Sequence, residues 1–262
     1  MRRRLIFALV LLGPCPAWAG AWTADPDGWL NISGVILSDS GRNFGSAAPL
    51  SFRHALLQTY TEYGWQPDMT LLFKTETSYV EVTQNGAAPY HAFDNAFEAG
   101  ARWRFDPFAG WSDFGVFALE VTLRTAGAFN FAVSANRTAG GNGAQLRLLY
   151  GRGFKLWDMD GYVDLQAGES FLSGGRADET PLDFTAGLWL DNDNLAMLQS
   201  FNLFAGPGSL AAYPAFESHK LQLSWVRRIT HSTSIQAGGF FSPIGHNALV
   251  EQGVCLSLWL RF

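Results

Sequence analysis

The sequence predicts an all-β fold: a transmembrane antiparallel β-barrel of about twelve strands, with short periplasmic turns and longer outer loops. Three observations predict it. The carboxy-terminal segment alternates, with Val254, Leu256, Leu258, Leu260 and Phe262 in one phase and Gly253, Cys255, Ser257, Trp259 and Arg261 in the other. A period of two is that of a strand whose faces meet different media. An apolar face ending on an aromatic residue suits the last strand of an outer-membrane barrel. The second observation is compositional: aromatics make up 15% of the chain, with 10 Trp and 21 Phe, yet no run after the first nineteen residues is apolar for the length of a spanning helix. Barrels touch lipid with alternate residues only and place aromatic girdles at both interfaces. The third is the even number of strand-like segments, which brings both termini to one side. A periplasmic all-β domain is the competing fold.

Residues 1–19 read as a secretion leader. Arg2, Arg3 and Arg4 form a basic start, Leu5 to Leu12 is unbroken apolar sequence, and Ala17 with Ala19 fits an A-x-A site cleaved before Gly20. Pro14 before Cys15 does not suit a lipoprotein site, where a small residue is expected. Loss of the leader leaves 15 basic against 23 acidic residues, a net charge of about −8, and no basic patch for nucleic acid. Only Cys255 then remains, so no intrachain disulfide is available and stability must come from elsewhere, such as closing a sheet. Residues 20–262 form one domain.

Twelve strands are expected near 29–38, 52–63, 69–82, 92–105, 114–125, 144–154, 161–171, 181–190, 195–205, 216–227, 234–242 and 249–262. Connections after the second, sixth, eighth and tenth are short: Gly64–Asp68, Lys155–Asp160, Asp191–Asn194 and Arg228–Thr233. Those after odd strands are longer: Asp39–Ser51, Thr83–His91, Ala126–Gly143 and Leu172–Thr180. This alternation is the barrel pattern, with the last strand running toward the periplasm. Asp106–Asp113 is long for a periplasmic turn, although Asp106, Pro107 and Gly110 carry turn chemistry. Ala126–Gly143 reads as the largest outer loop, either folded into the lumen as a constriction or mobile.

Charge assigns each strand its faces, because Arg or Lys facing mid-bilayer costs about 2–4 kcal/mol. Between 92 and 105, Asp94, Glu98, Arg102 and Arg104 fall inward, opposite Phe93, Phe97, Ala99, Ala101, Trp103 and Phe105. The same rule turns inward Lys74 and Glu76, Glu120 and Arg124, Arg147, Asp164, Asp183 and Lys220. These residues are the expected lumen lining. With both signs of charge present, two readings stand: a narrow barrel packed by internal ion pairs, and a hydrated channel whose opposed charges select a solute. Trp189 and Trp259 also fall inward. They are candidates for stacking on sugar rings, or for plugging the periplasmic end.

Little points to catalysis. Of the five histidines, His91, His231 and His246 fall in loops, and His54 and His219 fall near the outer rim. Ser218 and His219 are adjacent and so face opposite ways on a strand, which argues against a nucleophile–base pair. No H-E-x-x-H or C-x-x-C occurs, and Asp191-Asn192-Asp193-Asn194 lacks the glycine and distal glutamate of a calcium loop, so no metal or other cofactor is expected.

Several segments resemble the XagA-like family of bacterial outer-membrane proteins. They are the start Gly20-Ala21-Trp22, the run Leu146-Arg147-Leu148-Leu149-Tyr150-Gly151-Arg152-Gly153-Phe154, Val163 to Gly168, His219 to Ser224, and Ala237 through Asn247 to Phe262. The resemblance is strongest after residue 140 and rests on strand patterns. It implies a role linked to a surface polysaccharide, in attachment or biofilm formation. The expected partners are outer-membrane lipids, the barrel-assembly machinery acting on the strand that ends in Phe262, and a polysaccharide. The expected function is export or attachment of such a glycan, or passage of a small hydrophilic solute. The alternatives are an adhesive barrel with a plugged lumen and a lipid-modifying enzyme.

Overall fold

The structure, a computed structural model, describes residues 20–46, 49–84, 86, 88–106, 114–126, 142–209 and 214–262. The expected leader and most of the Ala126–Gly143 connection lie outside the described residues. The strands are β1 (Trp29–Ser40), β2 (Leu50–Gln66), β3 (Met69–Gln84), β4 (Tyr90–Phe105), β5 (Val116–Ala126), β6 (Gly143–Leu156), β7 (Met159–Leu172), β8 (Glu179–Trp189), β9 (Asn194–Ala205), β10 (Phe216–Arg228), β11 (Thr233–Phe241), β12 (Gly245–His246) and β13 (Gln252–Arg261). All pairings are antiparallel between chain neighbours, and β13 closes the ring by pairing with both β11 and β1. Twelve long strands thus form a closed barrel with no free edge; the two-residue β12 lies against the start of β10.

All twelve long strands match the segments expected from sequence. Most run a few residues further, because pairing continues past the last alternating side chain. Two begin later: β5 at Val116 rather than 114, and the final strand at Gln252 rather than 249, where Leu249 to Glu251 leave the wall.

Burial is inside out. Large apolar side chains point away from the interior, with Phe93 75% and Leu223 66% exposed, whereas Glu62, Thr70 and Asp164 are fully buried. This is the distribution a barrel needs when lipid covers its outer face. Aromatics gather near the short-turn end. Trp29 packs on Tyr63 with ring centroids 4.6 Å apart, and the Trp103 and Trp225 indoles donate to Asp68 (3.2 Å) and Asn194 (3.1 Å). An indole with its ring in apolar surroundings and its N–H on a polar turn suits the membrane–water interface.

Candidate functional site

Two features occupy the interior: a closure at the short-turn end and a cavity above it. The closure is built by Gly20 to Ala24, which precede β1 and run up inside the barrel rather than away from it. Ala21 and Ala24 are fully buried. The Ala21 N–H donates to Asp164 Oδ2 (2.9 Å), and the Ala24 N–H donates to Thr70 Oγ1 (2.8 Å). An extended segment has no ladder partner for these donors, so wall side chains supply the acceptors. Trp22 fills the space between. Its ring meets Tyr162 edge-on at 6.0 Å and packs on a cluster of Leu195, Met197, Val226 and Trp259. Gly151 faces the Trp22 indole so closely that a Cβ would sit 2.7 Å from it.

Arg102 anchors this segment to the wall. Its guanidinium is 3% exposed and donates to Glu62 Oε1 (2.9 Å), Tyr60 Oη (3.0 Å), Glu120 Oε2 and the Trp22 carbonyl (3.1 Å). The planar fork of arginine can serve several acceptors at once in fixed directions. Asp164 and Arg102 hold neighbouring residues of the segment, Ala21 and Trp22. A hydrogen-bonded chain climbs from there: Gln166 donates to Asp164 (2.8 Å) and accepts from Arg147 (2.9 Å), and Arg147 pairs with Asp183 (2.9 Å).

Above this floor lies a cavity of about 330 Å³. Its ionisable walls carry four positive and four negative residues: Lys74, Arg124, Arg147 and Lys220 against Glu98, Glu179, Asp183 and Glu251. Strand register sets some of the charges in rows of alternating sign. Lys74 faces Glu98, which faces Arg124; two inward layers lower, below Gly100, Thr122 and Gln145, Arg102 faces Glu120, which faces Arg147. Glu76 bridges Lys74 and Arg124 at 2.8 Å each. Gln145, Ser170 and Thr122 add neutral donors and acceptors, and Phe52, Phe201 and Phe216 add phenyl rings.

The outer side of the cavity is narrowed by residues 242–251, the connection from β11 to β13. Ser242 N–H bonds the Glu251 carbonyl (2.7 Å), and Phe44 N–H bonds the Ala248 carbonyl (2.8 Å). Leu249 packs on Phe52, Val80 and Val82, inside the wall. Glu251 takes a hydrogen bond from Ser38 (2.6 Å) and an ion pair from Lys220. The expected constriction, Ala126–Gly143, lies mostly outside the described residues, so the inward loop seen here is another one.

Of the expected lining, Lys74, Glu98, Arg124, Arg147, Asp183 and Lys220 border the cavity, while Arg102, Glu120 and Asp164 form its floor. Asp94 is buried and bonds the Asn95 N–H (2.8 Å). Arg104 differs: at the short-turn rim it is exposed and donates to the Pro67 carbonyl (3.1 Å). Trp189 and Trp259 do not border the cavity. Trp259 is buried under Trp22 with its N–H on Gln236 (3.1 Å), and Trp189 lies beneath the Arg228 guanidinium at 4.9 Å. Sequence reading missed His54, Glu179, Glu251 and the three phenylalanines of the cavity. Glu251 sat in a presumed wall strand, and the others lay near strand ends, where phase alone gives no height. His219 donates or accepts through Nδ1 at Asn202 Oδ1 (2.8 Å), on the lipid side, with Ser218 turned to the lumen.

Comparisons with solved structures show the fold. The chain is similar to the COG4313 outer membrane channel from Pseudomonas putida F1, with a TM-score of 0.62 and 13% identity over 92% of this chain and 98% of that one. It is also similar to the transport unit of the autotransporter AIDA-I from Escherichia coli, with a TM-score of 0.54 and 8% identity over 97% and 94%. The β domain of the Bordetella autotransporter BrkA gives 0.52 and 13% over 91% and 100%. No family model matches the chain, and no curated protein does. The chain is thus an outer-membrane β-barrel with the architecture of channels and autotransporter translocators.

Proposed function

We propose that this barrel serves a neutral, hydroxyl-rich solute at the outer surface, in export or attachment of a surface polysaccharide or in passage of a small sugar. The observation that carries this reading is the cavity wall: four cations and four anions, with amides, hydroxyls and the Phe201 ring between them. A balanced wall offers donors and acceptors in many directions with no net charge, which suits hydroxyl groups rather than an ion. The Phe201 ring, 37% exposed, would take the C–H face of the sugar, a role that the sequence assigns to Trp189 and Trp259.

Single-channel recording of the refolded protein in a planar bilayer, with and without neutral oligosaccharides, tests it. Current steps blocked by a neutral sugar and indifferent to a charged analogue are expected. Sugar-insensitive current would sink the reading. The closure by Gly20 to Ala24 favours a second reading, an adhesive barrel with a plugged lumen, and a silent but folded barrel that still binds glycan would select it. Neither reading needs catalysis. Phe262, 79% exposed at the end of the wall and paired to Trp29 through its backbone, is proposed as the mark read by the assembly machinery. Its deletion should lower the amount of barrel reaching the outer membrane while in vitro refolding proceeds; equal amounts in the membrane would refute that role.

A further inference from the structure

We propose that Asp164 is a binding site for a primary ammonium, and that its ligand is the chain's own α-amino group, released at Gly20 when the leader is cut off. This rests on the expected cleavage before Gly20 and not on the solute reading above. Hydrolysis of the Ala19–Gly20 peptide bond consumes one water; the new carboxylate departs with the leader, and the new amine, protonated at neutral pH, stays on Gly20.

Three observations carry the proposal. Asp164 is 1% exposed and receives N–H groups from Ala21 and Gln166, yet it makes no ion pair with any described side chain. A carboxylate so enclosed, with neutral donors only, is costly unless a cation joins it. Its surroundings do not supply one. In the same floor Arg102 is already shared by Glu62 and Glu120, and Glu62 Oε2 has no hydrogen-bond partner at all. One guanidinium therefore serves two carboxylates, and Asp164 is left without a cation of its own. Finally, Gly20 lies directly on Asp164: a Cβ built on Gly20 would overlap Oδ2 and stand 2.6 Å from Cγ. Only a residue without a side chain can pass this close to the carboxylate. The segment that would deliver the charge is held there by Ala21, Trp22 and Ala24, so the ammonium arrives already placed.

Cleavage and closure become one event in this arrangement. The uncut chain has a neutral amide at Gly20 and a leader to accommodate; the cut chain has the missing counter-charge and a free end inside the lumen. Gln166 joins Asp164 to Arg147 in the cavity wall, so the seat of the terminus is also part of the floor on which a solute would rest.

The test uses the outer-membrane protein itself. Its amino-terminal peptide is first identified by mass spectrometry. The folded barrel is then treated with a water-soluble amine-acylating ester, and labelling of the terminus is followed against labelling of the same chain in denaturant. A chain beginning at Gly20 is expected, with its α-amine labelled about a hundredfold more slowly when folded, since reaction must await local opening. In Asp164→Asn, shown folded by heat-modifiable gel mobility, the protection should fall by about tenfold or more. A terminus at another residue overturns the proposal, as does a folded α-amine that labels as fast as the unfolded one. Equal protection in wild type and Asp164→Asn overturns the role of Asp164. None of these readouts depends on conduction or on sugar, so failure here is separate from failure of the solute reading.

Discussion

Arg102 shows what a single buried residue does in the floor of a lumen. Four groups accept from its guanidinium, on β2, β5 and the amino-terminal segment. Cutting it back strands Glu62 and Glu120 as buried charges. Arg102→Ala should therefore destabilise the barrel by about 3–5 kcal/mol, read as a lower denaturant midpoint for refolding into detergent. Arg102→Lys keeps the charge but loses the fork, and should recover only part of it. Arg104, two residues away on the same face, sits exposed at the turn, and its alanine variant should leave the midpoint almost unchanged. Equal effects from the two arginines would contradict this placement. A second residue acts outside the membrane. In the turn between β8 and β9, Asp191 accepts from the Asp193 and Asn194 N–H groups, and these bonds hold its carboxyl below the usual carboxylate range. A lowered pKa means that the turn is strengthened while the group is ionised, above its ordinary value near 3.9, and that the gain fades as pH falls through the lowered one. NMR titration should place the Asp191 midpoint below that ordinary value; a normal or raised midpoint would refute the bonded turn.

The decisive element is the segment from Gly20 to Ala24. Its length is small, yet it fills the lumen where the indole of Trp22 meets Tyr162, Leu195, Met197, Val226 and Trp259. Removing residues 20–24 leaves every strand and every ladder bond in place. The expected result is a folded barrel whose unitary conductance rises by about twofold or more over the intact protein. Unchanged conductance in a folded deletion would mean that another element sets the limiting width, and the loop 242–251 would be the next candidate. Both elements were hard to read from sequence. Ala21-Trp22-Thr23-Ala24 has no period, so it reads as a linker between leader and first strand. Leu249-Val250-Glu251 has the alternation of a strand, so it was added to the last one. Periodicity speaks of the backbone's shape and not of which side of a wall the chain passes.

At the scale of the whole molecule, closure determines charge balance. The four basic and four acidic residues that border the cavity balance, so the open barrel should discriminate weakly between small cations and anions. Arg147→Glu shifts that wall by two units toward negative and should move the reversal potential in a salt gradient toward cation selectivity. A strongly anion-selective wild type, or a variant with no shift, would show that current does not pass the cavity. Register brings many of these charges together: Lys74 with Glu98 and Arg124 in one row, and Arg102 with Glu120 and Arg147 two layers below.

The inward phase of nearly every strand was legible in the chain, because a charge on the lipid side is expensive and alternation leaves no third choice. The same rule made the exposed apolar faces legible, from Phe93 on β4 to Leu256 on β13. Sequence by itself therefore determined the barrel, its approximate strand limits, and which side chains see lipid. Only the tertiary structure decided at what height each inward residue stands and what it faces. Trp259 illustrates the difference: its phase was read as inward, but the Trp22 ring lies over it, so it is floor and not lining. A period of two specifies a face. Height and pairing depend on how far neighbouring strands are staggered, and the path of the chain before the first strand depends on acceptors such as Asp164 and Thr70, which only the closed ring brings together.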